Sequence, residues 1–227
     1  MKDIRVIAIT GMPEVAPGDD LAEQIVRAAT GQIANDDIIV IAHKVVSKAE
    51  GRLTDAGDRH AATMGESVRI LRRSGEMVIS ETRHGFVCAN AGVDASNVPG
   101  ERVALLPLDP DLSARRLRAR IRNLADVDVA VIISDTFGRA WRLGQTNIAI
   151  GVAGMKPFVD YRGTVDAHDH DLTATRICIA DEIAGAAEMV MGKRDRICAA
   201  IVRGATAARG AGSAAEIVRP VSEDLFR

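Results

Sequence analysis

The hardest constraint on this chain is residues 129–134, Val-Ala-Val-Ile-Ile-Ser, closed off by Asp135. An unbroken run of branched aliphatics and alanine that stops at a carboxylate reads as a buried strand. Residues 38–42, Ile-Ile-Val-Ile-Ala after Asp36 and Asp37, repeat the pattern. Only six of the 227 residues are aromatic, so alanine and branched aliphatics must do most of the packing. With 47 % hydrophobic and 26 % charged residues, the composition is that of an ordinary globular protein. The length can bury a sizeable core and admits one large domain or two small ones.

Other elements fall in around these runs. Residues 4–10 read as a first strand that enters a turn at Gly11-Met12-Pro13-Glu14. Gly18-Asp19-Asp20 offers an N-cap for a helix over 21–30, with Ile25 and Ala29 at helical spacing. Residues 58–73 read as helix. Residues 77–80 and 86–89 read as strands joined through His84-Gly85, and 103–106 as a short strand. Ser113 caps a helix over 114–123 whose Arg115, Arg116, Arg118, Arg120 and Arg122 form a solvated face. Residues 148–152 and 173–179 read as strands, Asp181 caps a helix over 182–191, and 197–202 close the series. The tail, 219–227, reads either as an arm or as a frayed end. Strict βαβ alternation is missing and the middle is hairpin-like. The expected class is therefore α+β, with mixed sheets and flanking helices. No repeat or linker marks a boundary, so one domain over 1–227 is expected, with room for two lobes.

Several functional classes are disfavoured. A net charge of -2 provides no basic field for nucleic acid, and the few rings provide few stacking platforms. Cys88, Cys178 and Cys198 are odd in number and scattered, with no zinc-finger spacing, and read as buried apolar residues of a reducing compartment. The N-terminus has no signal-peptide pattern and no segment has the length of a membrane span, so a cytoplasmic location is expected. There is no Walker P-loop, no dinucleotide GxGxxG, no GxSxG and no HExxH. A nucleotide enzyme built on this chain holds phosphates by other means.

Four polar clusters remain. Residues 90–97, Asn-Ala-Gly-Val-Asp-Ala-Ser-Asn, put Asp94 where it could ligate a hard cation and Asn97 where it could bond a nucleotide. The same residue types also make an Asx-rich turn. Residues 134–139 follow the buried run, and Asp135 and Thr136 are oxygen donors suited to Mg²⁺ or Mn²⁺. Arg139 and Arg142 are candidates to clamp a phosphate or carboxylate, or are surface arginines. Residues 43–52 carry Lys44 and Lys48 at the exit of an apolar strand, either to meet phosphates or as a plain charged loop. Residues 166–171 hold three aspartates with His168 and His170. They read as a solvated polar loop or, less simply, as a metal site short of a third protein ligand.

Taken in order, these segments resemble the F420-0:gamma-glutamyl ligase family across nearly the whole chain. The residues that carry the resemblance are Gly11-Met12-Pro13 with Gly18-Asp19-Asp20-Leu21, then Val46 through Arg52 and Asn90 through Asn97. Leu106-Pro107-Leu108-Asp109-Pro110, Ser134 through Arg139, Ala180 through Ala184 and Val202-Arg203-Gly204 complete the set. The resemblance implies a family-specific α+β fold, an intertwined homodimer and no fused nitroreductase-like domain. It implies a GTP-dependent ligase that joins L-glutamate to the carboxylate of F420-0, with further gamma-linked glutamates as an extension. Mg²⁺ or Mn²⁺ is the implied cofactor, with K⁺ as a candidate addition. Asp94, Asp135 and Thr136 match the family's metal ligands. Met12, Pro13, Glu14, Val15, His43, Lys48 and Asn97 match its GTP-contacting positions.

Three departures stand out. His43 replaces a small hydroxyl residue, His168-Asp169 replaces a frequent Tyr-Gly, and Lys193 replaces a carboxylate of some relatives. They motivate one alternative, a non-catalytic nucleotide- or metal-binding module; a second rival is a metal-dependent phosphohydrolase that uses water in place of glutamate. No general base is assigned. Five of the six aromatics lie between residues 86 and 161. That clustering makes Phe137 and Trp141 candidates to lie against a planar substrate.

Overall fold

The two apolar runs come to lie side by side, in parallel, within one five-stranded mixed sheet. The computed structural model describes residues 3–98 and 100–225. Its first half contains β1 (Arg5–Ile9), α1 (Leu21–Ala29), β2 (Ile38–Ala42), α2 (His43–Ala49), β3 (Leu53–Asp55), α3 (Arg59–Glu66), β4 (Ser67–Ser74), β5 (Met77–Thr82), β6 (Val87–Ala89) and β7 (Arg102–Ala104). Then come α4 (Pro110–Ala125), β8 (Ala130–Arg139), β9 (Arg142–Ala153), the short β10 (Val159–Asp160), β11 (Thr164–Val165), β12 (Asp171–Leu172) and β13 (Arg176–Ile177), and finally α5 (Ile179–Met191) and β14 (Ala199–Arg203). The α+β expectation holds. The main sheet runs β1-β14-β2-β8-β9, and only β2 and β8 among neighbours are parallel.

The sheet is apolar on both faces because its inner strands alternate aliphatics with aliphatics. Ile39, Ile41, Val131, Ile133 and Ile201 face one core, with Leu21, Ile25 and Ile121 packed against them from α1 and α4. Ile38, Val40, Ala130, Ile132 and Val202 face a second core, built with Ala180, Ile183, Ala184 and Ala187 of α5. The alanines of α5 let that helix approach the sheet closely, which is how a chain short of rings fills two cores. Most of the basic face of α4 is solvated as expected; Arg118 instead donates to the Val129 carbonyl at 2.8 Å.

Caps account for most of the differences in helix boundaries. Asp20 accepts from the Glu23 N–H and starts α1 as expected. α4 begins earlier than expected, because Asp109 accepts from the Leu112 N–H and Pro110 suits the first turn. Ser113 lies inside that helix. α5 begins at Ile179, and Asp181 spends its carboxylate on the Ala149 N–H across the sheet. Burial raises the pKa of Asp181. Residues 58–73 split into α3 and β4, because β4 finds a partner in β5 and Ser67 bonds Ser80 across the pair. Residues 173–179 yield only the two-residue β13. β8 runs on to Arg139 rather than stopping at Asp135.

Two motifs of the resemblance are structural. Arg203 clamps Asp37, a buried carboxylate, through two contacts of 2.8 Å and ties β14 to the start of β2. Arg52 donates to the Leu106 carbonyl and pairs with Glu66 at 2.9 Å, joining the β3–β7 pair to α3. Phe226 and the end of the tail lie outside the described residues. Among those described, no helix is long and apolar enough to cross a membrane.

β9 passes directly beneath the start of α4. A Cβ built on Gly151 would sit 2.4 Å from the Pro110 carbonyl oxygen. Gly151→Ala is expected to cost ~1–3 kcal/mol as overpacking, read as a lower urea midpoint with an unchanged slope.

Candidate active site

The site exists because β2 leaves the sheet before β8 does. Their pairing ends at Ala42 and Ser134. At His43 the chain turns into α2, whereas β8 continues five residues further with β9 as its only partner. At the junction the β8–β9 register shifts, with Ile133 opposite Gly151 and Ser134 opposite Ala149. Such a bulge is a common device for re-aiming side chains beside a site. The space left by β2 is a cavity of about 580 Å³, bounded also by the loop after β1 and by the end of α5. That volume suits a nucleotide-sized ligand.

Nine of the ten expected site residues line this cavity. They are Met12, Pro13, Glu14, Val15, His43, Lys48, Asn97, Asp135 and Thr136. Asp94 does not line it but pairs with Lys44, which does, at 2.7 Å. Burial works to raise the pKa of Asp94, but hydrogen bonds from Lys44 and Ser96 outweigh it and hold the carboxyl below the ordinary range. Asp94 therefore remains ionised at neutral pH.

His43 is almost wholly enclosed, at 1 % exposure. Its Nε2 stands 3.1 Å from Asp135 Oδ1, without a hydrogen bond aimed along that line. On the far side Nδ1 is 3.5 Å from the Ser47 hydroxyl, itself committed to the Leu105 carbonyl at 2.6 Å. The residue that departs from the family pattern thus packs behind Asp135. Asp135 Oδ1 also accepts from the Thr136 N–H, at 2.7 Å. Lys48 is buried and meets Glu14 at 2.5 Å, so its charge is fixed beside the loop after β1.

Three lining residues went unrecognised in the sequence. Asn147 is a buried amide where β9 passes from its polar half, Gln145-Thr146, into its apolar half. Glu188 is the lone carboxylate among small and apolar residues at the end of α5. Arg196 follows that helix. A carboxylate breaking an apolar helix is the signal that could have singled out Glu188; Asn147, next to Gln145 and Thr146, carried none. Lys193, already conspicuous, donates to Thr136 Oγ1 at 2.5 Å and pairs with Glu188 at 3.1 Å.

Other candidates lie elsewhere. Arg139 and Arg142 are exposed where the β8–β9 hairpin turns, and Arg139 bonds the Leu143 carbonyl. Phe137 packs edge-on against Phe86 in the core, and Trp141 is 81 % exposed at the turn. Neither ring lines the cavity. His168 and His170 sit in an exposed turn that Asp166 closes by accepting both of their backbone N–H groups. The three thiols are free, and burial pushes Cys88 and Cys178 up to about 12 and Cys198 to about 11. They are poor nucleophiles.

A divalent cation fits part of this set. Among the described residues no three His, Cys, Asp or Glu side chains cluster to hold one. Mg²⁺, however, needs only one or two carboxylates when phosphates and water complete its shell. Asp135 meets that need, since its Oδ2 accepts no hydrogen bond from the described residues. Asp94 is ionised but stands outside the cavity lining, with both oxygens engaged by Ser96 and Lys44. The Thr136 hydroxyl is already engaged on both sides, by Lys193 and by Asn147 Oδ1 at 2.6 Å.

Comparison with known proteins gives the family. The family model described as F420-0:Gamma-glutamyl ligase matches residues 10–64 and 58–204. The coenzyme F420:L-glutamate ligase of Methanothermobacter thermautotrophicus is 40 % identical over 99 % of both chains. That of Methanopyrus kandleri is 42 % identical over 94 % of both. The ligase of Archaeoglobus fulgidus is 39 % identical over 99 % of this chain and 96 % of its own. The matches span the loop after β1, the lysines of α2 and the Asp135 strand, and this chain belongs to the F420-0:gamma-glutamyl ligase family.

Proposed function

We propose that the protein joins L-glutamate to the carboxylate of F420-0, using GTP and releasing GDP and phosphate. The observation that carries the reading is a single cavity that places Lys44, Lys48, Lys193 and Arg196 around the wall bearing Asp135. Four cations beside a metal-competent carboxylate suit a polyphosphate. The shared names of the relatives supply the acceptor and the amino acid.

A free carboxylate is a poor electrophile. In the proposed route the γ-phosphoryl group moves to the acceptor carboxylate and GDP leaves. The amine of glutamate then attacks the acyl phosphate, the amide bond forms, and phosphate departs with the bonding pair. Phosphoryl transfer asks chiefly for positioning and charge neutralisation. Lys48, immobilised by burial and by Glu14, offsets phosphate charge from one side. Asp135 would hold Mg²⁺ or Mn²⁺, which neutralises phosphate oxygens when bound, and Asp94 would join it as second donor on release from Lys44. His43 and the Thr136 N–H restrain Asp135 Oδ1 from behind.

The proposal extends to a homodimer. Leu143 is 98 % exposed at the β8–β9 turn and Val165 stands out on the β11–β12 arm, apolar surface suited to a second copy. Leu143→Ser with Val165→Ser is expected to shift the protein toward monomer in sedimentation measurements. An unchanged dimer would place the interface elsewhere.

The decisive assay combines protein, GTP, Mn²⁺, L-glutamate and F420-0. A mass gain of one glutamyl unit with matching GDP supports the reading. GDP release that ignores glutamate and F420-0 would make the protein a phosphohydrolase, and neither product would make it a binding module. Asp135→Asn is expected to lower ligase turnover at least about a hundredfold while the unfolding midpoint holds. Lys48→Met is expected to weaken GTP binding about tenfold, measured by calorimetry.

A further inference from the structure

At the end of α5 four side chains close a ring of three hydrogen bonds and one ion pair. Lys193 Nζ donates to Thr136 Oγ1 at 2.5 Å and meets Glu188 Oε1 at 3.1 Å. The Thr136 hydroxyl donates its one hydrogen to Asn147 Oδ1 at 2.6 Å. Asn147 Nδ2 returns to Glu188 Oε2 at 2.9 Å. Asn147 is buried, so the ring is anchored in β9 rather than floating on the surface.

The ring has a direct bearing on cations. A divalent ion bound to Thr136 Oγ1 would stand within about 5 Å of the Lys193 ammonium. Like charges at that separation repel, and the ion would have to share the hydroxyl oxygen with the Lys193 ammonium that already donates to it. The setting also wants positive charge for its own sake. Met191 and Gly192 bring the carbonyl end of α5, with its partial negative charge, to the cavity wall beside Glu188. A bound polyphosphate would meet that end unfavourably unless a cation stood between.

From this we infer that Lys193 is the resident cation at Thr136. Its ammonium meets a phosphate oxygen of the nucleotide there, and metal binding is confined to one divalent ion on the Asp135 side. An ammonium has three N–H donors, of which the ring engages at most two, one on Thr136 and one toward Glu188. The third is left for the phosphate. The inference rests on the GTP-ligase reading and assigns Lys193 and Thr136 their part in it.

The test separates Lys193 from the metal. Free Mn²⁺ is followed by electron paramagnetic resonance, first with Mn²⁺ alone and then with GTP, and GTP affinity is measured by calorimetry. Wild-type protein is expected to bind one Mn²⁺ per subunit with GTP present. Thr136→Val is expected to keep its Mn²⁺ affinity within about twofold, whereas Asp135→Asn loses it. Lys193→Met is expected to weaken GTP binding about tenfold, with Lys193→Arg recovering part of the loss. Two Mn²⁺ per wild-type subunit, loss of Mn²⁺ in Thr136→Val, or unchanged GTP affinity in Lys193→Met would each overturn the inference while leaving the ligase reading standing. A wild-type protein that binds no GTP would overturn both.

Discussion

The parallel pairing of β2 with β8, and its abrupt end at Ala42 and Ser134, is the constraint on which the remainder depends. Up to that point both strands are aliphatic on two faces and leave no room for a polar group. Beyond it, β8 keeps only one partner, and the backbone edge and side chains that β2 would have covered open onto the cavity. The five residues that carry β8 past the junction include Asp135 and Thr136. The turn of β2 into α2 brings His43, Lys44 and Lys48 to the opposite side. One strand ending early thus supplies the space, a carboxylate wall and a cationic wall together.

Charge in this space is held in place before any ligand arrives. Lys48 is buried against Glu14, Lys44 bridges to Asp94, and Lys193 is locked in the ring with Thr136, Asn147 and Glu188. Each pairing lowers the cost of keeping an ammonium at the cavity wall with no anion present. Each also limits the reorganisation needed when phosphate enters, which is the useful property in a reaction that depends on positioning. The buried His43 packs one layer back, its Nε2 3.1 Å from the Asp135 oxygen that faces the protein.

Much of this was legible in the chain. The apolar runs at 38–42 and 129–134 are buried strands, Asp20 caps its helix, and the polar segments at 12–15, 43–48 and 134–136 all reach one cavity. What failed did so for tertiary reasons. Residues 67–73 have enough periodicity for a helix, but a hairpin partner in β5 outweighed it. Ser113 and Asp181 are good caps in isolation; Asp109 and Cys178 hold the cap positions, and Asp181 reaches across to β9. Phe137 and Trp141 sit near the site in sequence, yet strand alternation turns Phe137 into the core and the hairpin carries Trp141 to the surface. The contact between Asn147 and Glu188 was illegible because nothing local links a strand amide to a helix carboxylate 41 residues later.

The amino-acid sequence by itself determined that two aliphatic strands would be buried, that small residues would pack around them, and which loops would carry carboxylates and lysines. These follow from side-chain size, polarity and local period. Only the tertiary structure decided that β2 would stop short of β8, and so where the cavity opens. It alone joined Lys193 to Thr136 and set His43 behind Asp135. Those contacts depend on strand order and register, which arise from packing between segments far apart in the chain.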